Sequence, residues 1–390
     1  MARPRPACIP LGARVANLCA LAESAEREGD QASASAVLNQ AALLVSDVGL
    51  PDLARQWCHR HAEVYLRALP MGAQAARRGL EPLVNLARLH IRAGDGPSAF
   101  ALLGTLYQAI TFRSDTVIDG IPVPAATLIA SEQDHHELRQ WLWTVHVADS
   151  ARALVAAGHW QDAHAHLRRN RGIGQRMLDG RQVAVIAHTL AGEPDTALAL
   201  LDETAPGEPW ENAVTACLTV LCRRTAGQPI EAGICTMLEH YQRPAPTGDL
   251  SVFATRLGLS VIDAAGGTED AIAFAVATKL IEQTLAFRDG YAARDVLAHK
   301  RCATVLSVGQ TRALAELVEA CALGSGTMPP EMRASLSDAV ATSEAVITPG
   351  LRQRAVGVRP LEREHGHATD GTGRKQEISV TRPPRGRRFR

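Results

Sequence analysis

Residues 178–211 read LDGRQVAVIAHTLAGEPDTALALLDETAPGEPWE. Ala, Leu and Val recur at helical spacing on both sides of Ala191-Gly192-Glu193, and strand-like alternation is missing. A glycine directly after a helix accepts the left-handed conformation that ends it. Ala197, five residues on, lets a second helix approach the first, and Leu201, a turn later, fills the space between them. The stretch is therefore a helix, a glycine turn and a helix, closed within 34 residues.

Five more junctions have the same form: Glu28-Gly29-Asp30, Ala93-Gly94-Asp95, Ala157-Gly158-His159, Ala226-Gly227-Gln228 and Ala265-Gly266-Gly267. Alanine stands five residues after each glycine, at Ala34, Ala99, Ala163, Ala232 and Ala271 as at Ala197. Nine residues after, Leu38, Leu103 and Leu167 match Leu201, and Thr236 and Ala275 do not. The glycines are 65, 64, 34, 35 and 39 residues apart, and the first two intervals leave room for a degenerate junction inside each. A period near 34 residues is the mark of stacked helix pairs. The expected fold class is all-α.

On these residues the chain resembles tetratricopeptide-repeat proteins over roughly residues 12–290. Segment 178–211 is the best single unit, with Gly192, Ala197, Leu201 and Pro209 in the family's places. Arg181 and His188 replace the family's first-helix aromatics, and Val185 its small residue. The resemblance implies a right-handed α-solenoid of antiparallel helix pairs. Its concave groove would bind peptides or partner proteins, without shared catalytic residues. The expected organisation is an N-terminal extension over 1–11, the repeat body over 12–347 and a disordered basic tail over 348–390.

Three segments interrupt the pattern. In residues 112–134, Asp119-Gly120 between β-branched residues is hairpin chemistry, and Pro122 and Pro124 bar a helix. Such a segment is either functional or an ordered linker. Residues 243–249 and 324–330 are further breaks, the second followed by a last helix near 330–346. From Thr348-Pro349-Gly350 onward the apolar periodicity stops.

The charge balance sharpens this division. The whole chain has 41 basic and 41 acidic residues, but residues 351–390 hold 11 Lys+Arg against 4 Asp+Glu, a charge of +7. Residues 1–350 hold 30 against 37, a charge of −7. Nucleic-acid contact is therefore expected only through the tail 351–390, which could also fold back on the acidic body. Phe389 is the tail's one aromatic, too few for a base-stacking platform. No run of 18 apolar residues calls for a membrane span. The basic N-terminus, interrupted by Pro10, Arg14 and Asn17, is a poor signal peptide. Eight scattered cysteines without a C-x-x-C pair read as reduced thiols, and a cytoplasmic location is expected.

Chemical signatures are sparse. Six of the 14 histidines lie between 135 and 166, but His136-Glu137-Leu138-Arg139-Gln140 lacks the second imidazole of H-E-x-x-H. His164 and His166 stand about 200° apart on a helix, so they cannot share a metal there. No metal and no cofactor is expected. Gly172-Ile173-Gly174 puts Met177 at the third glycine position of G-x-G-x-x-G, and G-x-x-x-x-G-K-[ST], G-x-S-x-G and kinase signatures are missing. The helix over 135–157 carries an apolar stripe of Leu138, Trp141, Leu142, Val145 and Ala148. His136, Arg139, Trp143, His146 and Ser150 form a second face, and aromatics among arginines are the composition of binding hot spots. With Arg113 and Asp119 from the preceding break, these are the candidate site residues.

The expected function is that of an intracellular scaffold or adaptor binding protein or peptide partners, with no catalytic residue assigned. One alternative is a sensor of a peptide or small-molecule effector. It would lack its own helix-turn-helix domain, since the first repeat helix starts near residue 12. Another is an enzyme whose site lies around Arg113, Asp119 and the 135–146 helix.

Overall fold

The computed structural model describes residues 5–243, 250–266 and 271–356, with side chains described as far as Thr348. It is all-helical apart from one hairpin. The helices are α1 (Leu11–Glu28), α2 (Gln31–Val48), α3 (Pro51–Leu66), α4 (Ala73–Arg92) and α5 (Gly96–Phe112). After strands β1 (Thr116–Ile118) and β2 (Ile121–Val123) come α6 (Glu132–Ala156), α7 (Trp160–Arg169), α8 (Asp179–Leu190), α9 (Pro194–Asp202) and α10 (Pro209–Thr225). The last are α11 (Glu231–Tyr241), α12 (Ser251–Ala264), α13 (Ala271–Phe287), α14 (Gly290–Ala298), α15 (Lys300–Ala303), α16 (Val308–Ala320) and α17 (Pro330–Val356).

All six junction glycines have positive φ, from 65° at Gly227 to 105° at Gly266. At five of them the next residue donates its N–H five residues back, as Glu193 does to His188 at 3.0 Å, which caps the first helix. At four of them the same residue then starts the second helix. Ala34, Ala99, Ala163 and Ala197 donate to the carbonyls of Asp30, Asp95, His159 and Glu193. These four alanines are completely buried, and Leu38, Leu103, Leu167 and Leu201 are buried beside them.

Ala232 and Ala271 depart from this: both are exposed, as are Thr236 and Ala275. After Gly227 the cause is turn length. α9 begins two residues after Gly192, but α11 begins four after Gly227. The first helical hydrogen bond after Gly227 moves two places on, from Ile234 to Ile230, and Ile234 and Ala273 take the buried positions. A two-residue slip turns a helix by about 200°, enough to swap faces.

The two long intervals differ from expectation as well. A junction 34 residues after Gly29 would fall inside α3. The extra turn stands instead at Gly49, where φ is 94° and Ala54, five residues on, is fully buried. The second interval contains the hairpin. Asp119 and Gly120 have φ of 52° and 84°, and positive φ at both turn residues fits a type I′ turn. Ile118, Ile121 and Val123 pack into the core, and Val117 and Pro122 face outward.

Consecutive helices pack on one another from α1 to α11 and from α12 to α15, and the even-numbered helices α2, α4, α6, α8, α10, α12 and α14 also touch in a continuous row. One core gathers α1–α6, the hairpin and α17, a second gathers α10–α16, and a smaller one links α8 to α10. The row's two ends meet. Tyr291 of α14 donates its hydroxyl to Asp47 of α2, and the N–H groups of Gly324 and Gly326 donate to the carbonyls of Asp47 and Val48, both at 2.8 Å. Asp289, fully buried, accepts from the Cys8 N–H (3.2 Å), the Ser251 hydroxyl (2.5 Å) and the Tyr291 N–H (2.9 Å). The Cys321 thiol donates to the Cys8 carbonyl at 3.0 Å.

α17 lies across α1, α2 and α3. It runs to Val356, beyond the expected end near 346. Leu336, Val340, Ser343 and Ile347 recur every three or four residues along its buried side, which anchors the helix past that point. Residues 244–249 of the second break and 357–390 of the basic tail lie outside the described residues.

Candidate functional site

The six expected site residues occupy three separate places. Arg113 ends α5 in the left-handed region (φ 52°) and pairs with Glu132 at 2.8 Å. It borders a shallow open hollow with Leu69, Pro70 and Thr127. Asp119 sits at the hairpin turn, where its carboxylate is gripped by Arg55 (2.6 and 2.7 Å) and His59 (2.8 Å) of α3. Burial pushes the Asp119 pKa up, but the hydrogen bonds from Arg55 and His59 outweigh burial and hold it below the ordinary carboxylate range. Both charges are engaged in fastening the 112–131 segment.

On α6 the expected second face is split. His136 and Arg139 are exposed, and Trp143 is 38% exposed. His146 does not join them. Its ring stacks on Tyr107 of α5 (centroids 4.8 Å, interplanar 6°) and meets His166 of α7 edge-on at 4.9 Å. Burial, and next the charge of His166, pull the His146 pKa down to about 4. The periodicity places His146 on that stripe correctly, but α5 and α7 cover that end of it.

A different surface gathers more chemistry. α4 is buried on nearly every side, and Leu80, Leu83, Val84, Leu86 and Ala87 are almost inaccessible. Gln74, Arg77, Glu81, Asn85, Arg88 and Arg92, spaced 3, 4, 4, 3 and 4 apart, form its main polar stripe, with Arg78 and His90 outside it. α2 and α6 flank this stripe. Arg88 donates to Asp149 of α6 through Nε (3.1 Å) and Nη2 (2.8 Å), and through Nη1 to Asn85 (3.0 Å), which bonds Asn39 of α2 at 3.0 Å. Arg92 reaches Ser46 (2.6 Å) and Asp47 (3.2 Å) of α2, and the Arg77 guanidinium lies 5.3 Å over the ring of Trp141 of α6.

Two carboxylates organise this surface, and both are nearly buried. Asp149 also pairs with Arg152 at 3.1 Å, and Asp47 also pairs with Arg14 at 2.7 Å and accepts from Tyr291. Four guanidinium groups thus share two carboxylates. Burying a charge is costly unless it is paired and hydrogen-bonded, as both are here. The sequence signal for the surface was present, since a helix apolar on most sides shows most of its polar positions as one stripe. It was missed because the stripe itself carries no histidine or glycine to draw attention.

Among the described residues no group of three or more His, Cys, Asp or Glu side chains is placed to hold a metal ion, and no helix is long and apolar enough to cross a membrane. Two open hollows lie on the surface, the one beside Arg113 and one lined by Asp52, Arg55, His59 and Glu63 on α3. Set against protein-family models, curated proteins and solved structures, the chain matches none of them.

Proposed function

We propose that this chain is a protein- or peptide-binding module built as a tetratricopeptide-like α-solenoid whose two ends are fastened together. The observation that carries the reading is the continuous row of even-numbered helices, one of which, α4, offers a polar stripe organised by its neighbours on both sides. Repeats stacked in this way present extended surfaces, and affinity on such a surface comes from a few arginine and aromatic anchors. The shallow hollows fit an extended peptide better than an enclosed small molecule. Display of random peptides against the purified chain tests this. Enrichment of a common sequence that binds the full chain in solution is the expected result, and a selection that yields none removes the proposal.

A further inference from the structure

We infer that the surface shared by α2, α4 and α6 is a binding site for an acidic peptide segment in extended conformation. This rests on the peptide-binding reading and specifies its ligand. The first argument is charge. Residues 1–350 carry a net −7, yet on this surface Arg14, Arg77, Arg88, Arg92 and Arg152 stand with three carboxylates, Asp47, Glu81 and Asp149. Two positive charges are left over on an otherwise acidic body. The basic segment 351–390 is repelled from such a surface, which removes the chain's own tail as its occupant.

The second argument is fixed geometry. Asp149 and Asn85 hold Arg88, and Asp47 and Ser46 hold Arg92, before any ligand arrives. Arg92 and Arg152 still have guanidinium nitrogens without a protein partner, and their side chains are 36% and 49% exposed. A guanidinium presents five N–H donors in a planar fork that suits a carboxylate. Anchors held in place this way lose little freedom on binding.

The third argument is spacing. Arg88 and Arg92 stand one helical turn apart, about 6 Å. Alternate residues of an extended chain are about 6.6 Å apart and point to the same side. An extended peptide with Asp or Glu at every second position therefore sets successive carboxylates against successive guanidinium groups. A single-stranded nucleic acid meets the same arginines, but Trp141, the aromatic ring beside them, lies under the Arg77 guanidinium and is not free for base stacking.

The test uses the full chain and fluorescence anisotropy with labelled peptides of about eight residues, which span the stripe. One alternates Glu with small residues, one has Gln at those positions, one has Lys, and a single-stranded oligonucleotide serves as the polyphosphate probe. The Glu peptide is expected to bind at least about tenfold more tightly than the Gln peptide, and more weakly as salt is added. Arg92→Gln and, separately, the more exposed Arg152→Gln should each weaken it severalfold, and Arg312→Gln on α16 should not. Unchanged far-UV circular dichroism identifies the variants that remain folded, and either one suffices. Equal binding of the Glu and Gln peptides, or no effect of the folded variants, overturns the acidic-ligand assignment and leaves the peptide-binding reading standing. Tighter binding of the oligonucleotide, lost in the same variants, assigns the surface to nucleic acid instead. If selected peptides of every charge fail to bind, both readings fall.

Discussion

Ala197→Leu and Ala232→Leu are the same substitution at positions that the primary structure presents as equivalent, five residues after Gly192 and Gly227. The fold makes them different. Ala197 is fully buried at the α8/α9 approach, packed in the core that holds Val185, Leu201, Val214 and Leu218. Three added carbon atoms have no room there, and overpacking of this kind costs about 1–3 kcal/mol. Ala232 is exposed, because the longer turn after Gly227 delays α11, and a change at such a site stays within about 0.5 kcal/mol. Ile234→Ala supplies the converse. Ile234 holds the buried position at 8% exposure, and its truncation should cost about 2–3 kcal/mol, the low end for a core isoleucine. Urea unfolding followed by far-UV circular dichroism reads all three as shifts in midpoint at constant slope. Equal losses for the two leucine variants, or no loss for Ile234→Ala, would refute the slipped register.

Other consequences follow from single contacts. Asp289→Ala should lower stability by about 3 kcal/mol in the same unfolding assay, because the Cys8 N–H and the Ser251 hydroxyl lose a buried acceptor. Asp119→Ala should speed protease cleavage within residues 114–124 with little change in the global midpoint, since Arg55 and His59 fasten that turn. Burial lowers the pKa of His61 to about 3 and that of His146 to about 4, from an ordinary 6.5. The unfolded chain therefore takes up protons that the folded chain does not. Stability should be full above pH 6.5 and fall as the pH drops from 6.5 towards 4, with a shallower fall in His146→Phe. A flat midpoint over that range would contradict the burial of both rings.

The fold class was legible because helix ends are local events. Gly29, Gly94, Gly158 and Gly192 each mark a left-handed cap, and the buried alanine after each follows from the first hydrogen bond of the next helix. The same end is made without glycine at Arg113, Arg171, Arg288 and Ala322, whose φ lies between 52° and 54°. A search for glycine cannot see these, because packing of the flanking helices imposes the conformation against the residue's own preference. The register slip after Gly227 was hidden because spacing was counted from the glycine, whereas burial is counted from the first helical residue. The candidate site was legible only in part. Helical periodicity put His136, Arg139 and Trp143 on one exposed stripe, but it could not tell that α5 and α7 would cover His146. Nor could it bring Asp149 and Arg152 beside α4, since that pairing spans about sixty residues and depends on how the helices stack.

Asp47 joins the two features that the primary structure left furthest apart. Its carboxylate accepts from Tyr291, which closes the helix row, and pairs with Arg14 and with Arg92, which belongs to the proposed peptide surface. Charge drawn from Arg92 towards an acidic ligand leaves Asp47 more dependent on Arg14 and Tyr291, so ligand and closure act on one carboxylate. Sites that share a group are coupled, and the coupling is reciprocal. Tyr291→Phe removes the hydroxyl and retains the ring that the Arg5 guanidinium covers at 3.7 Å. It takes one donor from Asp47 and leaves the carboxylate to its two arginines, which draws Arg92 inward. The variant should therefore lower thermal stability and, with Arg88 and Arg152 untouched, weaken the acidic peptide as well. Isothermal titration beside a melting curve separates the two effects. A loss of stability with peptide affinity unchanged would show that closure and the arginine surface are independent, and that Asp47 holds Arg92 in the same place whether or not the row is closed.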